Sequence, residues 1–152
     1  MDKHGFVDSA VESELLSSGV YASVTKGVSM RPLFKTHRDM IILKRPDAEL
    51  KKYDVVLYRT NSGKYILHRI VKVLPDAFVI RGDNTFSPEY VAKDRILAVL
   101  TEFNRNGKKH SVTDRGYRIY SRVWNFIYPV RFLSHRMRAI ARATYRRIFK
   151  RK

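Results

Sequence analysis

The fold is decided by residues 55–73, which read VVLYRTNSGKYILHRIVKV. Two apolar runs, Val55–Tyr58 and Tyr65–Val73, are rich in β-branched and aromatic residues, a composition that favours strands. The tripeptide Asn61-Ser62-Gly63 between them is a turn signal. The stretch therefore predicts a β-hairpin, and the rest of the domain can be built outward from it.

Similar short runs flank this hairpin on both sides, separated by turn signals. They are Val20–Thr25, Met40–Leu43, Phe78–Arg81 and Ile96–Phe103. Val7–Ser18 instead repeats apolar residues at helical spacing and ends at Gly19, which predicts a short helix. The fold class expected from this order is mainly β within α+β: a folded β-sheet domain with a short N-terminal helix.

Composition limits the classes of protein that remain. The chain has 152 residues, of which 44% are hydrophobic, enough for one domain with its own core. It has no cysteine, which excludes disulfides, thiol nucleophiles and cysteine-based zinc sites. No apolar stretch is long enough for a transmembrane helix, and the residues that follow Met1 do not resemble a secretory signal.

Positive charge is concentrated at the C-terminal end. Residues 105–152 hold fifteen Lys or Arg side chains and one acid, Asp114, whereas residues 1–104 hold sixteen basic and thirteen acidic side chains. Such asymmetry is typical of a segment that meets a polyanion. We therefore divide the chain into an N-terminal helix (1–18), a core (19–104) and a basic tail (105–152).

The tail combines an aromatic segment with a basic amphipathic helix. Residues 123–133 include Trp124, Phe126, Tyr128 and Phe132, and residues 134–152 are predicted to be helical. The apolar stripe of that helix consists of Leu133, Met137, Ile140, Ala141, Thr144 and Ile148. Aromatic rings suit the headgroup region and arginines suit anionic lipid. We expect residues 123–152 to bind an acidic membrane surface and to be separable from the body near Ser121. Docking of the helix on the body is the second reading, and nucleic-acid binding is the least favoured.

Three local patterns could supply hydrolytic chemistry. Ser29 follows a predicted strand and Gly27, in a turn that can expose a hydroxyl and free a backbone N–H. His68 lies in the middle of a predicted strand, and histidine is the general base whose ordinary pKa is near neutral. A carboxylate could orient the imidazole, and Asp83 and Glu89 are the nearest candidates downstream. Each residue alone has an ordinary structural explanation; their order along the chain carries the prediction.

That ordered set resembles the signal peptidase I superfamily of serine peptidases, which includes the LexA-type self-cleaving proteases. Ser29-Met30-Arg31-Pro32 matches the nucleophile box, His68-Arg69-Ile70 matches the base motif of the histidine (endoplasmic-reticulum-type) branch, and Gly82-Asp83-Asn84 matches a third motif. The resemblance covers about residues 19–103. It implies Ser29 as nucleophile and His68 as base, with Gly27, Met30 and Pro32 near the substrate and oxyanion. It also implies Arg69, Gly82 and Asn84 as structural motif residues.

Two positions depart from the family pattern. Gly27 stands where the family has a serine whose hydroxyl helps to form the oxyanion hole, and Glu89 stands where the histidine branch has an aspartate. The family's membrane anchor has no counterpart in the sequence. Either Glu89 or Asp83 could be the orienting acid, and Glu89 is slightly favoured.

The function expected from the resemblance is that of a serine endopeptidase. It would cleave the leader or signal segment of a peptide or protein precursor with a Ser29–His68 dyad, without metal or cofactor. The expected location is cytoplasmic and peripheral to the membrane. The alternative is a catalytically silent LexA-like regulatory module whose basic tail binds nucleic acid. A reactive-serine probe would separate the two.

Overall fold

The computed structural model describes the backbone of residues 8–149 and the side chains of residues 11–145. The described residues form three α-helices: α1 (Asp8–Ser18), α2 (Arg115–Phe126) and α3 (Tyr128–Phe149). The strands are β1 (Val20–Val24), β2 (Met40–Lys44), β3 (Val55–Arg59), β4 (Tyr65–Val73), β5 (Ala77–Arg81), β6 (Glu89–Ala92), β7 (Ile96–Arg105) and β8 (Lys108–Ser111). Val7 and residues 150–152, which we included in predicted helices, lie outside the described residues.

The strands form one antiparallel sheet in the order β1-β2-β7-β3-β4-β5-β6, with β8 paired to β7. Strand β7 has ten residues and pairs with β2, β3 and β8 along its length. The predicted mainly β, α+β class is confirmed at this level.

The predicted hairpin is β3–β4, with Val56 opposite His68 and Arg59 opposite Tyr65. Because successive residues of a strand point to opposite faces of the sheet, His68 and Arg69 must face opposite sides. Both side chains are buried, so each face has to provide polar partners for one of them.

Each face of the sheet carries its own apolar core. One core includes Val55, Leu57 and Leu67, and is covered by Val11 and Leu15 of α1. The other includes Val56, Tyr58, Ile70 and Ile80. Full burial of one such aliphatic side chain contributes about 1.5–3 kcal/mol, so both faces of the hairpin stabilise the fold.

Two short strands and part of the helical tail were not predicted. Strand β6 directly follows Pro88, and β8 is too polar to show an apolar period. Residues 123–133, which we treated as an aromatic segment before the helix, end α2 and begin α3. Pro129 does not break the helix because it lies in the first turn of α3, where a missing N–H costs nothing.

Candidate active site

Strand register brings Tyr58, His68 and Glu89 to one face of the sheet. Ile70 lies opposite Ile80, and Ile80 lies opposite Glu89, so Glu89 projects on the same side as His68. Tyr58 lies two positions from Val56, the residue opposite His68, and so shares this face. Three strand-to-strand pairings therefore assemble a cluster that is dispersed over about thirty residues of sequence.

The imidazole of His68 contacts both oxygen-bearing neighbours through its Nδ1 atom. Nδ1 lies 3.3 Å from Glu89 Oε1 and 3.4 Å from the Tyr58 hydroxyl, and the His68 residue is 6% exposed. The hydrogen bond with His68, supported by one from Tyr58, lowers the pKa of Glu89 against the opposing effect of burial. Burial, followed by the charge of Glu89, raises the pKa of Tyr58, which therefore keeps its proton as a donor. An Nδ1 proton donated to Glu89 leaves Nε2 as the basic nitrogen.

Ser29 lies in a turn that is held in place by the buried side chain of the next residue, Met30. Met30 is buried in the core beside Leu33 and Phe34, and the Phe34 N–H donates to the Met30 carbonyl. The Met30 side chain therefore holds the turn, whereas Pro32 is exposed. Gly27 has a φ of 78°, a conformation that favours glycine. The hydroxyl and the backbone N–H of Ser29, which is half-buried, form no hydrogen bond with any residue that the structure describes.

The loop 82–86 fits against this turn. The Asn84 N–H donates to the Ser29 carbonyl at 2.7 Å, and the Asn84 side-chain amide donates to the Val28 carbonyl at 3.3 Å. A Cβ atom at Gly82 would lie 2.7 Å from the Ser29 carbonyl oxygen and 2.9 Å from His68 Nε2. Both atoms therefore border the same small volume, which admits only a glycine, and the free nitrogen of His68 faces the Ser29 turn.

Asp83 lies on the other side of the sheet from Glu89. Its two carboxylate oxygens each accept a hydrogen bond from Arg69 at 2.8 Å, and Oδ2 also accepts one from Tyr120 at 2.9 Å. Burial by itself lowers the pKa of the Arg69 guanidinium, but the charge and hydrogen bonds of Asp83 outweigh burial and raise it. The two candidate acids are thus separated: Glu89 contacts His68, and Asp83 is paired with the next residue, Arg69.

Helices α2 and α3 hold the loop that carries Gly82 and Asn84. The Trp124 indole and the Arg131 guanidinium donate to the Asp83 carbonyl at 2.9 and 2.8 Å, and the Tyr128 hydroxyl donates to the Phe86 carbonyl at 3.0 Å. The Ser121 hydroxyl accepts from Arg69 at 2.9 Å. Residues beyond Ser121 supply three of these contacts, so a chain ending near Ser121 would lose them. The separability of the tail near Ser121 stays a prediction.

Sequence reasoning missed the residues that support the site rather than those that form it. Tyr58 was quoted only as part of an apolar strand, and its proximity to His68 follows from a register that the sequence does not state. Tyr120 and Ser121 lie in the basic tail, and nothing in their sequence context predicted that they contact Asp83 and Arg69. A signal was available for α2, since Tyr117, Ser121 and Trp124 recur at helical spacing that runs into the segment predicted to be interfacial.

An open cleft of about 480 Å³ reaches the side of the site where Glu89 lies, and Tyr58, Glu89 and Tyr90 line it. A larger cleft of about 870 Å³ lies between α1 and the ends of β3 and β7, and does not include the His68 cluster. We assign the smaller one to the site because it contains the partners of His68.

Within the part of the chain that the structure describes, no group of three or more histidine, aspartate and glutamate side chains could hold a metal ion. No described helix combines the length and the apolar character needed to cross a bilayer. Comparison of the sequence with models of known protein families produced no match, and no curated protein matched it either.

Proposed function

We propose that this protein is a serine endopeptidase of the signal peptidase type, with Ser29 as nucleophile, His68 as general base and Glu89 as orienting acid. The observation that carries the proposal is the orientation of the imidazole. Nδ1 contacts Glu89, and Nε2 borders the volume beside Gly82 that the Ser29 turn also borders. A serine hydrolase needs its base arranged in this way.

In the proposed reaction the Ser29 hydroxyl adds to the scissile carbonyl as Nε2 of His68 takes its proton. Glu89 stabilises the imidazolium that forms, and Tyr58 donates to the same carboxylate. As the tetrahedral intermediate collapses, the leaving amine receives this proton from Nε2 and departs, which leaves the acyl group on Ser29. Water then hydrolyses the acyl-enzyme by the same route. The Ser29 N–H, free among the described residues, is the proposed oxyanion donor.

The proposed substrate is an extended peptide from a precursor's leader or signal segment. Strand β1 lies at one end of the sheet order, has β2 as its one partner among the described strands, and leads into the turn with Ser29. A peptide added as a strand along β1 would be directed toward the Ser29 hydroxyl, and its main chain would supply much of the affinity.

The test is labelling with a fluorophosphonate probe together with cleavage of a peptide library read by mass spectrometry. We expect the wild type to be labelled and to cleave, and Ser29→Ala to lose both while keeping its fold. Ser62→Ala, which alters an exposed turn serine in the β3–β4 hairpin, is the matched control and should behave like the wild type. Labelling of Ser29→Ala at the wild-type rate would refute the assignment of Ser29 as the nucleophile. A folded wild type that is inert in both assays and binds duplex DNA tightly would favour the regulatory module.

A further inference from the structure

The α2–α3 segment presents two opposite faces. Helical hydrogen bonds continue across the junction, from the Ile127 N–H to the Val123 carbonyl and from the Arg131 N–H to the Ile127 carbonyl. The inner face packs on the β-sheet domain, where its residues contact Arg69, Asp83 or Phe86. These residues recur every three or four positions: Tyr117, Ser121, Trp124, Tyr128, Arg131 and His135. The positions two residues further along lie about 200° around the helix and so form the opposite, outer face.

The outer face is an apolar stripe that the body leaves uncovered. It consists of Ile119, Val123, Phe126, Val130, Leu133, Met137 and Ile140. Each of these side chains is at least half exposed, from 50% for Val123 to 84% for Phe126. At about 1.5 Å per residue the stripe follows roughly 30 Å of helix, and a patch of this extent on a soluble surface marks an interaction site.

Charge indicates what covers the stripe. Residues 115–149 contain nine arginines and no acidic residue. Arg136, Arg138 and Arg142 are exposed, and none of them forms an ion pair with a described carboxylate. A second copy of the chain on this face would place arginines against arginines, which opposes association. A surface that offers both an apolar interior and phosphates matches the stripe and its arginines.

We propose that the outer face of α2–α3 lies flat on an anionic phospholipid bilayer. This differs from the assignment made from sequence, because Trp124, Tyr128 and Phe132 contact the body or the loop 82–86, while Phe126 and the stripe face outward. The inner face of the same segment donates hydrogen bonds to the loop 82–86, which contacts the Ser29 turn. The bilayer would therefore hold the candidate site at a fixed orientation to the membrane plane.

The test is co-sedimentation of the full-length chain with vesicles of phosphatidylcholine, with and without phosphatidylglycerol. Binding should require phosphatidylglycerol and weaken as salt rises. The variant with Phe126→Gln, Val130→Gln and Leu133→Gln should lose binding. Leu16→Gln is the matched control, since Leu16 is 71% exposed on α1, away from the stripe. It should bind like the wild type.

A second variant isolates the charge. Arg136→Gln with Arg138→Gln should reduce partitioning onto acidic vesicles by about fivefold per charge removed. Both multiple variants alter exposed side chains outside the candidate site, so circular dichroism and probe labelling of Ser29 should remain as in the wild type. Ser29→Ala should sediment normally, which separates this proposal from the proposed function.

Four results would overturn the membrane proposal. They are equal binding to neutral and acidic vesicles, wild-type binding by the outer-face variant, absence of vesicle binding with tight duplex DNA binding instead, and a dimer in analytical ultracentrifugation that the outer-face variant abolishes. The last would assign the stripe to a second copy of the chain.

Discussion

Replacement of Gly82 by alanine should damage the candidate site through one methyl group. The new Cβ would lie 2.7 Å from the Ser29 carbonyl oxygen and 2.9 Å from His68 Nε2, where ordinary contacts begin at 3.4 Å. The Ser29 carbonyl is held by Asn84, and His68 is held by Glu89, so neither neighbour moves freely. Relief of the two contacts requires displacements of about 0.7 Å at the Ser29 carbonyl and about 0.5 Å at the imidazole.

The consequence should be larger for reactivity than for stability. Overpacking of this kind costs about 1–3 kcal/mol of the free energy of unfolding. A misplacement of about 1 Å in a catalytic group can reduce the rate about 100-fold, so we expect a fall of about 10- to 100-fold in the second-order rate of fluorophosphonate labelling at Ser29. Urea denaturation of the same samples gives the stability change and shows that the variant is folded.

Gly116→Ala is the matched control for Gly82→Ala. No atom lies within 4 Å of a Cβ at Gly116, which is in α2, so the added methyl meets open space. It should leave labelling unchanged and stabilise the helix by up to about 1 kcal/mol. If Gly82→Ala is labelled as fast as Gly116→Ala, then Ser29 and His68 do not share the volume beside Gly82, and the argument for the dyad fails.

The remaining predictions concern the two carboxylates. Glu89→Gln should slow labelling about 100-fold or more, because His68 loses the charge that stabilises its protonated form; unchanged labelling would show that the base works without Glu89. The pKa of Glu89 is lower in the folded protein than its ordinary value of 4.5, so the ionised carboxylate stabilises the fold at a pH above 4.5. This contribution is lost as the pH falls through the lowered pKa. The stability gap between the wild type and Glu89→Gln, measured by urea denaturation, should therefore be widest near neutral pH and narrow below 4.5, and a gap that widens in acid would contradict this sign. Asp83→Asn should cost about 3–5 kcal/mol, since it leaves the Arg69 charge buried without compensation. Glu102→Gln, which removes the exposed ion pair with Lys109, should lower the free energy of unfolding by less than ~1 kcal/mol. Equal losses of stability in Asp83→Asn and Glu102→Gln would show that the buried Arg69–Asp83 pair contributes no more than an exposed one.

Much of the fold could be predicted because strands carry their signal locally. The bounds of β4 agree with the predicted Tyr65–Val73, and β1, β2, β3, β5 and β7 lie within two residues of the predicted runs. Strand β6 was missed because its four residues after a proline are stabilised by pairing with β5 rather than by their own pattern. The helical character of residues 123–133 was missed because a proline in a first helical turn looks, in sequence, like a helix breaker.

The candidate site was predicted only in part, for a similar reason. Ser29 and His68 could be nominated from residue type and local context, and the structure places the His68 ring beside the loop that contacts the Ser29 turn. The sequence favoured Glu89 over Asp83 only slightly, because that preference rested on the position of Glu89 in the family pattern. Their separation depends on which face of the sheet each carboxylate occupies, and this is decided by the pairing of β4, β5 and β6.

The sequence by itself determined the mainly β character, the position of the hairpin and the concentration of positive charge after residue 104, because these depend on short-range periodicity and on counting. Only the tertiary structure decided that the same charged segment has two faces with different surroundings. Its inner face supplies Ser121, Trp124 and Arg131 to the loop beside the candidate site, and its outer face remains apolar and exposed. The physical reason is that helical periodicity reveals that a face exists, whereas what it packs against depends on residues distant in the chain, here Arg69 and Asp83, which only folding brings together.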